Sequence, residues 1–379
     1  MATGLPANRS DANNEWVLDF SNFRTAWAKS RGAGITIAHP DTGWTLHPEL
    51  VAPTYRRDLS RNFYEPIKHA WLGRPEDTWP TSDNLHGFMS SAHGTATAGV
   101  LVSPTGRPDG SPTRATDAFP SGSTAAFVSG AAPDATVIPF RVTNNPLMMD
   151  DEDSALAKCI YHCIGLKANR GIEVAVMSIS LGGTRFGTES KIKNALVQAR
   201  FHGIVMIAAA GQVPGQRTWF GRHMATDQWY PTFPGSSPET ICVAGCDYRH
   251  APLELGFYGK EVDISAPAVN VWIPRTKPGK GSTETHRVEQ SHGTSYATAL
   301  TAASCALWQS HHGRDRLIDR YGRSKLLTVF KYCLQESAHR PAGWDTTKRG
   351  AGVLDVTHLL DLPLPSDLLV DELFFKKED

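Results

Sequence analysis

The apolar positions of this chain follow two alternating patterns. Short, nearly unbroken apolar runs stand at 34–40 (GITIAHP), 135–142 (ATVIPFRV), 174–179 (VAVMSI), 204–210 (IVMIAAA), 240–245 (TICVAG) and 261–265 (EVDIS). Their length suits strands covered on both faces. Between them, apolar residues at helical spacing predict helices over 154–168 and 191–201. A further helix is predicted over 19–30, where Phe20, Phe23 and Trp27 share a side ahead of Arg31-Gly32. Two stretches of small residues, 93–101 (HGTATAGVL) and 293–307 (GTSYATALTAASCAL), suit helices packed deep in a core. Strands separated by helices of this length predict an α/β fold: a mainly parallel sheet with helices on both faces. Residues 1–15 read as a flexible lead, 51–90 as irregular, and the Pro-, Gly- and Ser-rich 103–130 as a long surface loop. Residues 355–360 close the core and 363–379 form an amphipathic helical tail.

Composition narrows the classes. The chain has 379 residues, with 38 Lys and Arg against 38 Asp and Glu, hence a formal net charge of zero. It has no long basic run, so nothing points to nucleic acid or an acidic membrane surface as partner. No window reaches the apolar length of a membrane span. Asp11 and Glu15 fall where a secretory signal would carry its apolar core. Six cysteines are too few for a disulfide scaffold in a chain this long. Cys159/Cys163 and Cys242/Cys246 repeat a Cys-x3-Cys spacing, which reads as buried free thiols in preference to a metal site. Together these features favour a reducing compartment.

The candidate chemistry sits at element ends. Asp41 follows the first apolar run and precedes Thr42-Gly43; by itself that is an ordinary turn. His93 and Ser295 each open a small-residue helix, where a capping or packing role is the plain reading. At a helix start, a serine also meets unpaired N–H groups and the positive end of the helix dipole. In an open α/β sheet such ends converge on one crevice. An acid, a histidine and a serine together there can act as nucleophile, general base and orienting carboxylate, and the order Asp…His…Ser is that of subtilisin.

On these residues the sequence resembles the subtilisin-like serine peptidases, the subtilases. The resemblance rests on Asp41-Thr-Gly with His47-Pro-Glu-Leu50, His93-Gly-Thr with Ala98-Gly99, and Gly293-Thr-Ser295-x-Ala297. Gly130-Ala-Ala-Pro133, Ser180-Leu-Gly-Gly183, Ala208-Ala-Ala-Gly211, Tyr230-Pro231, Val243-Ala-Gly245, Ala266-Pro267 and Gly350-x-Gly352-Val-Leu-Asp355 follow in family order. The resemblance implies a subtilisin-like three-layer sandwich over 33–360, preceded by a lead and first helix (1–32) and followed by a tail (361–379). It implies a serine endopeptidase acting on a peptide or protein through an acyl-enzyme, with Asp41, His93 and Ser295 as the triad. Ser180, Leu181 and Gly182 would pair with substrate backbone and border the specificity pocket, with Ala209, Ala210 and Gly211 as its other wall. The oxyanion would lie among Ser295 N–H, Gln212 and, as helper, Thr294.

The departures from the family carry their own expectations. Gln212 stands where most relatives have Asn, and its longer side chain must fold back to donate. Tyr296 replaces a frequent Met, Ala299 a Pro, and Pro40 an aliphatic residue that costs the first strand a ladder bond. Glu49 matches a calcium-ligating position, while the Asn-bearing loop that usually completes that site is not recognisable. Structural calcium is therefore an option, and no cofactor is required for catalysis. Asp150 to Asp153 suit a helix N-terminus; facing the cleft instead, they would select basic residues at P2 or P4. No pro-region precedes the core, which suggests a cytoplasmic enzyme that folds unaided; the alternative is a secreted one whose pro-region is not in this chain. The long inserts that rim the cleft lean towards selective processing. Rival readings are a catalytically impaired binding scaffold, and a transpeptidase or macrocyclase that passes the acyl group to an amine. The tail can dock on the core or on a partner.

Overall fold

The computed structural model describes residues 15–50, 52–65, 92–103, 130–148, 150–183, 189–213, 230–278 and 284–375. The apolar runs become the strands β1 (Thr36–Asp41), β3 (Thr136–Arg141), β4 (Val174–Ile179), β5 (Val205–Ala209), β6 (Ile241–Cys246) and β7 (Ile264–Pro267), with a two-residue β2 (Arg61–Asn62) at one edge. Their order is β2-β3-β1-β4-β5-β6-β7, and every neighbouring pair is parallel. β4 keeps the predicted bounds residue for residue and is buried throughout, as a strand covered on both faces should be.

Alternate residues of each strand feed two apolar layers. Ile37, Val176, Ile207 and Val243 pack with helices α3 (His93–Val102) and α6 (Thr294–His312) on one face. Ala38, Met177, Ile179 and Met206 pack on the other with α4 (Asp150–Arg170) and α5 (Glu189–Phe201). Helices on both faces of a parallel sheet make the expected three-layer sandwich. α6 is buried along most of its length, and its Ala-rich surface lets the backbone lie close to the strands.

Several expectations are corrected. The helix predicted over 19–30 is two short helices, α1 (Glu15–Phe20) and α2 (Phe23–Ala26), broken where Asn22 takes the left-handed conformation at φ 58°, one that Asn tolerates better than most residues. Pro40 costs β1 little. The Asp41 carbonyl accepts from Val142 N–H on the β3 side, so the Pro40 nitrogen faces β4, whose register with β1 ends at Ala38. A β8–β9 hairpin (Val271–Pro278, Glu284–Ser291) and two helices after α6, α7 (Arg314–Tyr321) and α8 (Leu326–Glu336), were not expected. The lead up to residue 14, and 51, 66–90 and 104–129 of the expected irregular and loop stretches, lie outside the described residues, as do the side chains of Asp150 to Asp153.

After α9 (Thr346–Arg349), residues 356–361 form α10 (Val356–Asp361) and the tail forms α11 (Asp367–Phe375). The tail docks on the core. Val370 is fully buried, Tyr321 Oη donates to Pro365 O at 2.7 Å, and the Arg200 guanidinium sits over the Phe374 ring at 4.6 Å. All six cysteines are buried thiols, and burial pushes Cys305 and Cys333 up to about 12.

Candidate active site

Three chain segments meet at the C-terminal edge of β1. Asp41 ends that strand and is fully buried. α3 begins against the loop after it: a Cβ on Gly94 would lie 2.2 Å from Gly43 O, and Gly94 N–H donates to Thr42 Oγ1 at 2.9 Å. That approach, open only to glycine, brings His93 Nδ1 to 2.7 Å from Asp41 Oδ1. On the other side of the ring, His93 Nε2 lies 3.0 Å from Ser295 Oγ, in the first turn of α6. The three side chains thus form one hydrogen-bonded line. With Nδ1–H donated to the carboxylate, Nε2 offers its lone pair to the serine hydroxyl, the arrangement a nucleophile and its base need.

Burial, the largest influence on Asp41, pushes its carboxyl up. His93, by charge and hydrogen bond, together with His39 and the Thr42 N–H, outweighs it and holds the group below the usual carboxylate range. Asp41 is therefore an anion inside the protein. Thr42 N–H reaches Oδ1 at 2.7 Å, and Thr97 Oγ1 lies 3.2 Å from Oδ2. His39 stands behind Thr97, its Nε2 2.9 Å from the hydroxyl. Neither Thr97 nor His39 was singled out from the sequence. The available signals were a threonine four residues after His93, on the same helix face, and a histidine two residues before Asp41, on the same strand face.

Gln212 follows β5, and its Oε1 accepts from Thr294 N–H at 2.9 Å. This fixes the side-chain amide at the mouth of α6. Thr294 N–H, the expected helper, is engaged by Gln212 in this arrangement. The Ser295 N–H belongs to the first helical turn, where backbone donors lack an intrahelical acceptor. Ser295 Oγ also lies 3.3 Å from Ser180 O, and Ser180 Oγ donates to Ser295 O at 3.0 Å.

Both predicted walls approach Thr232. Ser180 and Leu181 are buried after β4, and Ala209 and Ala210 are buried at the end of β5. Thr232 stands between the walls: an added Cβ would meet its Oγ1 at 2.1 Å on Gly182 and at 2.9 Å on Gly211. Gly211 also has φ +97°, a second reason for glycine there. Gly182 is already paired with a neighbouring backbone segment. Its N–H donates to Pro146 O at 3.1 Å and its carbonyl accepts from Met148 N–H at 2.9 Å. Residues 184–188 and 214–229, beside these walls, lie outside the described residues.

Glu49 is buried and accepts a hydrogen bond from Ser103 Oγ. Among the described residues, no group of three or more acidic, His or Cys side chains is placed to hold a metal ion. Among them, too, no helix is long and apolar enough to cross a membrane.

The sequence model of the subtilase family matches residues 32–344. Among curated proteins, an extracellular protease of Xanthomonas campestris pv. campestris is 25% identical over 329 residues, or 81% of this chain and 50% of that one. The chain therefore spans about half the length of the curated relative it matches, and that relative's name lends no support to a cytoplasmic location. Among solved structures, proteases from Pseudoalteromonas arctica match with TM-score 0.64 and 21% identity, over 90% of this chain and 93% of that one. MycP1 with its N-terminal propeptide removed matches with TM-score 0.60 and 20% identity, over 93% and 99%. At such identities the likeness concerns the fold.

Proposed function

The chain belongs to the subtilase family, and from that premise we propose that it is a serine endopeptidase with Asp41, His93 and Ser295 as its triad. The reading is carried by the unbroken hydrogen-bonded line from Asp41 Oδ1 through His93 to Ser295 Oγ. His93 Nε2 takes the hydroxyl proton as Oγ attacks a peptide carbonyl, and returns it to the leaving amine. Asp41 holds the Nδ1–H and stabilises the imidazolium. Water, deprotonated by the same base, then releases the acyl group from Ser295.

The oxyanion of each tetrahedral intermediate is received by Ser295 N–H, at the positive end of α6, and by Gln212 Nε2. The substrate is a peptide or protein, and the step needs no cofactor. Its P1 side chain enters between 180–182 and 209–211 and meets Thr232. A substrate strand that pairs with Gly182 displaces residues 146–148. The peptidase domain is 33–360, with 1–32 as lead and first helix and 361–379 as the tail.

The test is labelling with a fluorophosphonate probe, wild type beside Ser295→Ala, read by intact mass. One adduct on wild type and none on the variant is expected. A folded wild type that takes no probe refutes the proposal and favours a binding scaffold.

A further inference from the structure

Two enclosed side chains behind the triad have no part in the steps above. His39 lies two residues before Asp41 on β1, so both point to the same face of the sheet, and it is fully buried. Its Nε2 stands 2.9 Å from Thr97 Oγ1 and 3.6 Å from Asp41 Oδ2. Thr97 lies one turn beyond His93 on α3, so one helix face sends both side chains to Asp41. His93 holds one carboxylate oxygen; Thr97 and His39 stand at the other.

Resting on the triad assignment, we propose that His39 is a positioning residue that acts through Thr97 to hold the second oxygen of Asp41, keeping the carboxylate aligned on His93.

The direction of this relay follows from charge. A hydroxyl has one proton to give, and Thr97 Oγ1 has acceptors in Asp41 Oδ2 and in the carbonyls of His93, at 3.1 Å, and Gly94, at 3.3 Å. Were the His39 proton on Nδ1, its Nε2 would turn a lone pair towards the carboxylate and draw the Thr97 proton away from it. With the proton on Nε2, the ring donates to Thr97 Oγ1 and presents its positive edge to Asp41. Thr97 then gives its own proton to the charged acceptor, the stronger of the bonds open to it. The Nδ1 of His39 is left as a buried acceptor without a hydrogen-bond partner among the described residues. A bare acceptor is better tolerated inside a protein than a bare donor.

The ring also has to stay neutral, because an imidazolium here would compete with His93 for the same anion. Burial secures this: it pulls His39 down to about 4, against the attraction of Asp41 and with the help of His93. Two imidazoles thus flank one carboxylate with different tasks. His93 gains and loses a proton; His39 fixes a hydroxyl.

The test is a double-mutant cycle on the full chain, read by the fluorophosphonate labelling rate and by kcat and KM on a peptide substrate. The variants are His39→Leu, Thr97→Val and the pair, with His39→Gln as rescue because its side-chain amide donates from near the imidazole Nε2. Each single substitution is expected to lower kcat and the labelling rate about ten- to hundredfold, the scale of a misaligned catalytic group, with KM unchanged. The pair should be no worse than the worse single, and His39→Gln should recover most of the loss.

A folded His39→Leu that labels at the wild-type rate overturns the relay while leaving the triad in place. Fully additive losses, a loss confined to KM, or no rescue by Gln likewise overturn it. If wild type itself takes no label, the triad assignment fails and the relay falls with it. Should His39→Leu not fold, Thr97→Val carries the same readouts, joined by imidazole nitrogen NMR of His39. Protonation at Nε2 is the expected result, and protonation at Nδ1 overturns the proposal.

Discussion

Acid should strip stability from this fold through one enclosed ring before the carboxylates begin to titrate. His39 is fully buried and neutral, its pKa lowered from 6.5 to about 4, first by burial. In the unfolded chain it titrates near its ordinary value. Between the two values the unfolded state binds a proton that the folded state refuses. The stability is therefore intact above about pH 6.5, declines as the pH falls, and is fully lost near pH 4. At 1.36 kcal/mol per pKa unit, the whole loss is about 3 kcal/mol, with about 2 kcal/mol of it between pH 7 and 5. The depressed carboxyls lose their share lower down. Asp41 does so below 3.8, and Glu173, lowered to about 2 chiefly by Arg323, Lys167 and Arg314 against its burial, does so below 4.5. His312 is also lowered to about 4, but is partly open to solvent, which weakens its effect. The measurement is urea unfolding followed by tryptophan fluorescence at pH 7, 6 and 5. It is made in a Ser295→Ala, His312→Asn background, so that self-cleavage and the second histidine drop out. Against that parent, His39→Gln should lose about 2 kcal/mol less between pH 7 and 5. Equal losses in the two would refute the buried neutral ring.

Three further outcomes are expected. Gln212→Ala should lower kcat roughly 10²–10³-fold with little change in KM, the scale seen when a subtilisin loses its side-chain oxyanion donor; an unchanged kcat removes Gln212 from the oxyanion hole. Thr232→Gly should shift the P1 profile of a peptide library towards larger side chains, because the Thr232 hydroxyl fills the space between Gly182 and Gly211; an unchanged profile would place P1 elsewhere. Deleting 363–379 should destabilise the fold by roughly 2–4 kcal/mol, from one buried valine and one buried hydroxyl bond, and an unchanged melting temperature would contradict the docking of Val370 and Pro365.

The legibility of the sequence followed the kind of contact each segment makes. β4 and β5 were readable because burial on both faces demands an unbroken apolar run. The β8–β9 hairpin was not, since outside the buried Val271 and Ile273 much of its pairing is polar: Arg275 pairs with Glu289 at 2.9 Å, and Thr276 Oγ1 lies 3.0 Å from His286 Nδ1. Such strands lack the apolar alternation on which the prediction relied. The helix break at Asn22 needed one residue in a left-handed turn, which composition allows without requiring. Asp41, His93 and Ser295 were legible because motifs surround each of them. His39 and Thr97 were not: their meeting depends on how closely α3 seats against β1, and the pairing of Gly182 with Pro146 and Met148 likewise joins separate stretches.

The placement of α6 has a consequence in time. The acid and the base are encoded early, whereas Ser295 opens a helix laid against β4, β5, β6 and β7, under cover of α10. A ribosome makes the chain from its N-terminus, so Asp41 and His93 emerge long before the serine that completes the line. During that interval the growing polypeptide carries Asp41 and His93 without the serine hydroxyl that would attack a bond. The proposed cutting apparatus therefore comes into being only after most of its own scaffold has been made.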